Sequence, residues 1–250
     1  MKACCRRRGF LYFYTYPEKK FNMKTRFLLI VTAAMIVTSC GKKSTTPATP
    51  ATQESYLNTS GGSSWTYQQN DSSGATPTSS QYTLTSTSKD STIGNKSYHV
   101  YNYSYGGNQY LNLTGSDYFQ FDSLPGGLGQ VFERLYLKDN LANGGTWSQD
   151  VNVNISLSGI PLSVKITLNN KIAEKAISRQ VNGNSYADVI HVSTSLSSSS
   201  IPASGLTSSI DSYYAPKYGL IENRSVINLD YLTITQKVNF STKLLNAALK

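Results

Sequence analysis

Cys40 is the residue in this 250-residue chain whose type and setting most directly imply covalent chemistry. It closes the run Val37-Thr38-Ser39-Cys40, after an uncharged, mostly apolar stretch over residues 27–39. A cysteine sulfur acts as a nucleophile, a metal ligand or half of a disulfide. The other two cysteines, Cys4 and Cys5, lie upstream, so beyond Cys40 there is no thiol for a disulfide, a zinc site or a second nucleophile. The two histidines, His99 and His191, each fall within strand-like alternation, with no acidic pair or cysteine at ligand spacing. That pattern reads as strand-face histidine rather than metal ligand or catalytic base. Neither a Gly-x-Ser-x-Gly elbow nor a Walker-type phosphate loop is present. Gly126-Gly127-Leu128-Gly129 follows Pro125 and reads as a loop. Asp117 and Asp122 are the closest acidic pair, but nothing around them supports the paired-carboxylate chemistry of a glycosidase. The expectation is a protein that is not an enzyme, with no catalytic residue, no metal and no cofactor.

The surroundings of Cys40 specify what its sulfur does. Met23-Lys24-Thr25-Arg26 is a short basic segment ahead of the apolar run. A spanning helix needs roughly 20 apolar residues, so this run is too short to cross a bilayer and has the length of a secretory signal core. An aliphatic residue, two small residues and then cysteine resembles a lipobox. The resemblance implies a diacylglycerol group on the Cys40 sulfur, cleavage before Cys40, and in many species a further acyl chain on the new amine. Each buried CH₂ contributes about 0.8 kcal/mol, so two or three chains hold a protein firmly at a membrane. Residues 1–22 read as an extension upstream of a translation start at Met23, residues 23–39 as the signal peptide, and residues 40–54 as the lipidated cysteine and a Thr/Pro/Ala tether. Residues 55–250 form the β-rich domain.

Placing the boundary at Cys40 also redistributes charge. Residues 1–40 hold eight of the 23 basic residues and one of the 14 acidic ones, leaving 15 basic and 13 acidic residues beyond it. The formal charge of +9 therefore falls to about +2. Apart from Lys42-Lys43 no basic cluster remains, which argues against nucleic acid as a partner.

From Tyr56 onward β-branched and aromatic residues alternate with polar ones and are broken by Gly, Asn, Ser and Pro. Over residues 97–104, Tyr98 and Val100 share one face while His99, Tyr101 and Tyr103 share the other. Residues 150–157 place Val151, Val153, Ile155 and Leu157 together, and residues 162–168 do the same for Leu162, Val164, Ile166 and Leu168. Such patterns predict an all-β fold: a curved antiparallel sheet or incomplete β-barrel. Leu244, Leu245 and Leu249 suggest a short C-terminal helix. Two echoes hint at two related halves. Gly61-Gly62-Ser63-Ser64-Trp65 is echoed by Asn143-Gly144-Gly145-Thr146-Trp147, and Gly94-Asn95-Lys96-Ser97-Tyr98 by Asn182-Gly183-Asn184-Ser185-Tyr186. Tyr98, Tyr101, Tyr103, Tyr105, Tyr110, Tyr118, Phe119 and Phe121 crowd one stretch, whereas Trp65 and Trp147 follow Gly-rich turns and read as core plugs.

The segments GSSWTY (62–67), GGTWS (144–148), SYADVIHV (185–192) and YYAPKYGLIE (213–222) occur in an order that resembles a group of uncharacterised bacterial lipoproteins with a Gly-x-x-Trp-x-Tyr opening and a late Tyr-Tyr-Ala-x-x-x-Gly-Leu segment. These look broadly similar to the curved sheets of LolA/LolB-like lipoprotein carriers. The resemblance implies a convex outer face and a concave, partly apolar inner one. This chain departs from it in long Ser/Thr loops, notably residues 193–200. The expected function is that of a membrane-anchored envelope lipoprotein whose curved β-surface binds an apolar ligand or a partner protein. The alternative is a carbohydrate-binding module using the Tyr-rich face. Gly41 in place of an aspartate favours the outer membrane, and the lack of an acidic run after Cys40 favours a periplasm-facing domain.

Overall fold

Alternation with period two condenses into twelve antiparallel strands in a computed structural model that describes residues 54–124, 128–157, 160–232 and 234–250. Cys40, the leader, nearly all of the tether and the Gly126-Gly127 pair lie outside the described residues. The first six strands are β1 (Ser64–Asp71), β2 (Thr78–Ile93), β3 (Lys96–Tyr103), β4 (Asn108–Thr114), β5 (Asp117–Leu124) and β6 (Leu128–Lys138). The second six are β7 (Thr146–Leu157), β8 (Ile160–Val181), β9 (Asn184–Ser197), β10 (Leu206–Ala215), β11 (Gly219–Tyr231) and β12 (Ile234–Ala248). Their order in the sheet is β6-β5-β4-β3-β2-β1-β12-β11-β10-β9-β8-β7. The expected incomplete barrel is thus present, nearly closed, with one unsealed seam between β6 and β7.

Each set of six is a meander, and both echoes fall at matching places in the two sets. Trp65 and Trp147 are each the second residue of the first strand of their meander. Gly94-Asn95 and Asn182-Gly183 are each the turn between the second and third strands. At the latter, Asn182 and Gly183 both have positive φ, 49° and 81°, the requirement of a tight two-residue hairpin whose twist matches the strands. The two junctions between meanders differ. At one, β1 pairs with β12 from Ser64↔Ala248 to Asp71↔Phe240. At the other, the β6 and β7 edges meet through side chains.

The C-terminal helix expected at Leu244, Leu245 and Leu249 is absent. That segment is the end of β12, because β1 and β11 flank it and offer backbone partners on both sides. Val238, Thr242 and Leu244 point inward and are buried, with strand spacing rather than helical. Residues 193–197 likewise belong to β9 and not to a Ser/Thr loop, since β8 and β10 pair with that strand. Apolar positions of β7 to β12, including Val153, Val164, Leu168, Leu196, Ile210 and Ile227, pack into one cluster inside the barrel. A second cluster holds Trp65, Tyr67, Leu84, Tyr101 and Leu244, and a third holds Tyr56, Tyr118, Tyr136, Ile190 and Tyr214.

Candidate functional site: the cavity inside the barrel

Between these clusters the barrel interior is not filled. A cavity of about 520 Å³ remains, lined from β1, β2 and β3 by Trp65, Tyr67, Tyr82, Leu84, Tyr101 and Tyr103. Gln120 and Asp122 of β5 and Arg134 and Tyr136 of β6 form another wall, and Ser212, Asn223, Ser225, Phe240 and Thr242 of β10 to β12 a third. Alternation explains the selection: every second residue of each strand faces inward.

The segment before β1 forms the floor. Tyr56 is 2% exposed, and its hydroxyl donates to the Asp188 carbonyl at 2.7 Å. Tyr101 donates to the Asn58 carbonyl at 2.6 Å, and the Lys217 N–H donates to the Ser55 carbonyl at 2.8 Å. Asp71, Ser73, Tyr105 and Ser123 lie toward the other end and form the mouth.

A row of tyrosines runs along one wall toward that mouth. Tyr67 stacks on Tyr82 with centroids 5.3 Å apart, Tyr82 meets Tyr103 edge-on at 5.8 Å, and Tyr103 stacks on Tyr105 at 4.9 Å. Burial pushes the Tyr67, Tyr82 and Tyr103 hydroxyls above their ordinary ionisation range, with neighbouring tyrosines and, for Tyr82 and Tyr103, Asp122 adding to the rise. The row therefore presents neutral hydroxyls and ring faces, suited to a ligand that is partly apolar and partly hydrogen-bonding. Across from it the polar groups satisfy each other: Asn223 Nδ2 donates to Ser212 Oγ at 2.9 Å, and Ser225 Oγ donates to Asn223 Oδ1 at 3.0 Å. Two donors are left over. Among the described residues, Trp65 Nε1 and Arg134 Nε are the buried side-chain polar atoms without a hydrogen-bond partner, and both residues line the cavity.

The aromatic stretch from Tyr98 to Phe121 divides between surfaces. Tyr101, Tyr103 and Tyr105 face the cavity; Tyr118 is buried beside Tyr56. Tyr98 points away from the cavity, buried edge-on against Phe121 with its hydroxyl on Glu133. Hence these rings do not all share one surface. Asp117 and Asp122 do not converge either: Asp117 pairs with Lys138 at 2.8 Å, whereas Asp122 lines the cavity.

Both histidines are engaged on strand faces. His191 contacts Asp211 at 2.8 Å and Glu174 at 3.1 Å and stacks on Tyr213, whose ring also carries Arg179 at 3.3 Å. His99 bridges Ser86 Oγ at 2.8 Å and Asp90 at 2.9 Å, a Ser-His-Asp arrangement that sequence spacing had not suggested. Its members are the groups of a hydrolytic triad. However, Ser86 is 2% exposed, its N–H is given to the Ser63 carbonyl at 2.8 Å, and it does not line the cavity. The relay instead clamps the register shift between Ser86 and Asp90 in β2.

Neither a protein-family model nor a curated protein sequence matches this chain. Among solved structures it is similar to a protein of Parabacteroides distasonis with a provisional lipoprotein assignment, at 13% identity and a TM-score of 0.47, covering 79% of this chain and 100% of that one. It is also similar to a provisionally exported protein of Bacteroides fragilis with a YmcC-like fold, at 9% identity and a TM-score of 0.44 over 78% and 99% of the two chains. The hypothetical lipoprotein YmcC of Escherichia coli matches at 9% identity and a TM-score of 0.34 over 92% and 99%. Similarity at this level transfers no function.

Proposed function

We propose that this chain is a non-catalytic envelope lipoprotein, held at a membrane by acyl chains on Cys40, whose barrel interior receives a small amphipathic ligand. The unfilled cavity of about 520 Å³ carries the reading. Larger barrels enclose ligand cavities or channels, and a void of this size lies in the range of small-molecule sites. Its lining pairs ring faces with hydroxyls and amides, the combination that holds a ligand with both apolar and polar parts. The described residues before β1 form the floor, opposite the mouth. The outer membrane, with the domain facing the periplasm, is the location favoured by Gly41 and by the lack of an acidic run in Gly41-Lys42-Lys43-Ser44.

Two measurements test the two parts. Replacing Cys40 with Ser should abolish incorporation of labelled palmitate and release the protein from the membrane fraction; unchanged membrane association would sink the anchor. Native mass spectrometry of the detergent-extracted protein should reveal a co-purifying small molecule. That species should be reduced in a cavity-narrowing Ser212→Leu variant. An equal load in both proteins, both remaining folded, would eliminate the cavity as the binding site.

A further inference from the structure

Arg134 is held more loosely than the tightly paired cations of the domain. Arg179 reaches Glu222 at 2.7 Å, Lys138 reaches Asp117 at 2.8 Å, and Lys96 reaches Glu133 at 2.6 Å. Arg134 has only long contacts: Nη2 to Gln120 Oε1 at 3.3 Å and Nη2 to Asp122 Oδ2 at 4.0 Å. The Asp122 oxygens are already engaged, Oδ2 by Gln120 Nε2 at 2.9 Å and Oδ1 by the Ser123 N–H at 2.8 Å. A guanidinium carries five donors in a planar fork. Here Nε is buried without a partner, in a side chain that lines the cavity, where the carboxylates are Asp122 beside it and Asp71 toward the mouth. Leaving such a group unmatched is costly, and an oxyanion in a fork-to-fork pair is its natural complement. Tyr103, Tyr136 and Tyr214 lie close enough to Arg134 to feel its positive charge. The indole N–H of Trp65 is a second unmatched donor facing the same cavity.

We infer that Arg134 is the anion-binding residue of the cavity and that the ligand is an amphiphile with one oxyanionic group, its apolar body lying along the tyrosine row. This inference rests on the cavity reading above and adds the charge of the ligand and the residue that reads it.

A matched pair of fluorescent dyes separates the two claims. Anilinonaphthalene sulfonate and phenylnaphthylamine share a ring system, and only the first carries an anion. The full-length protein in detergent should bind the sulfonate about tenfold or more tighter than the neutral dye. Arg134→Met should erase that preference while leaving affinity for the neutral dye within about twofold. Arg134→Lys, which keeps charge but loses the fork, should retain part of it. Because a buried-charge variant can misfold, Asp122→Asn gives an independent arm: removing the nearby carboxylate should tighten the sulfonate and leave the neutral dye unchanged. Equal affinity for both dyes in the parent protein, or a preference that survives Arg134→Met, would overturn the anion site and leave the cavity reading intact. Failure of both dyes to bind would overturn both.

Discussion

The side-chain amide of Gln149 joins the backbone of Leu135 across the open seam of the barrel: its Oε1 accepts the Leu135 N–H at 3.0 Å, and its Nε2 donates to the Glu133 carbonyl at 2.5 Å. An amide side chain thus takes the place that a peptide group of β7 would occupy in a continuous ladder. Trp147, two residues earlier, adds Nε1–H to the Leu135 carbonyl at 3.1 Å. No other hydrogen bonds between β6 and β7 occur among the described residues, while the equivalent β1/β12 junction is paired along eight positions of β1. Arg134 lies between the two β6 residues that Gln149 holds, so the seam and the cavity wall share a strand.

Replacing Gln149 with Leu should therefore loosen the seam specifically. It removes two bonds and leaves a half-buried N–H and carbonyl on β6, a loss of about 1–3 kcal/mol. Hydrogen exchange should quicken at Leu135 and along β6 while β1 and β12 keep their protection. Uniform loss of protection across all twelve strands would show that the seam is no weaker than the rest.

Alkali should destabilise the protein through its buried tyrosines. Burial, with a smaller contribution from the hydrogen bond to Asp139, pushes Tyr118 up from 10.0 to about 12, and Tyr67 and Tyr136 are driven well above 10.0 by burial. A group whose folded pKa is raised holds its proton more tightly when folded. The stabilising contribution is full below the unfolded value of 10.0 and is lost as pH rises toward and through the folded value. Phenolate absorbance should therefore rise in two stages above pH 10, the less buried rings first and the buried set together with loss of near-ultraviolet circular dichroism. Complete phenolate formation with the circular dichroism intact would contradict this assignment of burial.

How far these features were legible from sequence depends on the range of the contacts that make them. Tyr101 and Tyr103 share a face by simple alternation, so their common direction could be read locally, as could the Gly94-Asn95 and Asn182-Gly183 turns. Arg134, Gln120 and Asn223 come from three different strands, and only the closing of β1 on β12 sets them around one space. Leu244 and Leu245 suggested a helix because adjacent apolar residues suit one; the unpaired edges of β1 and β11 decided for a strand. The Ser86-His99-Asp90 relay was hidden by the register shift in β2, which brings residues four apart onto one imidazole. Gln149 carried no signal at all, since a polar residue within alternation ordinarily reads as solvent-facing.

The two tryptophans should respond differently to the same substitution. Trp65 and Trp147 hold matching positions in the two meanders, yet only Trp147 has its N–H engaged, on the Leu135 carbonyl at the seam. Replacing Trp147 with Phe removes that bond and leaves the carbonyl without its side-chain donor, for a loss of about 1 kcal/mol beyond the change in packing. Replacing Trp65 with Phe removes a buried donor that had no partner, and this gain offsets part of the lost ring contact with Tyr101, whose centroid lies 5.8 Å away. Trp147→Phe should accordingly lower the denaturation midpoint more than Trp65→Phe, although Trp65 is the more deeply buried at 3% exposure. Burial alone ranks them the other way, so chemical denaturation of the two variants separates the explanations. A larger loss for Trp65→Phe would mean that its N–H is satisfied in the protein, for instance by an ordered water in the cavity, and would remove one of the two unmatched donors from the binding site.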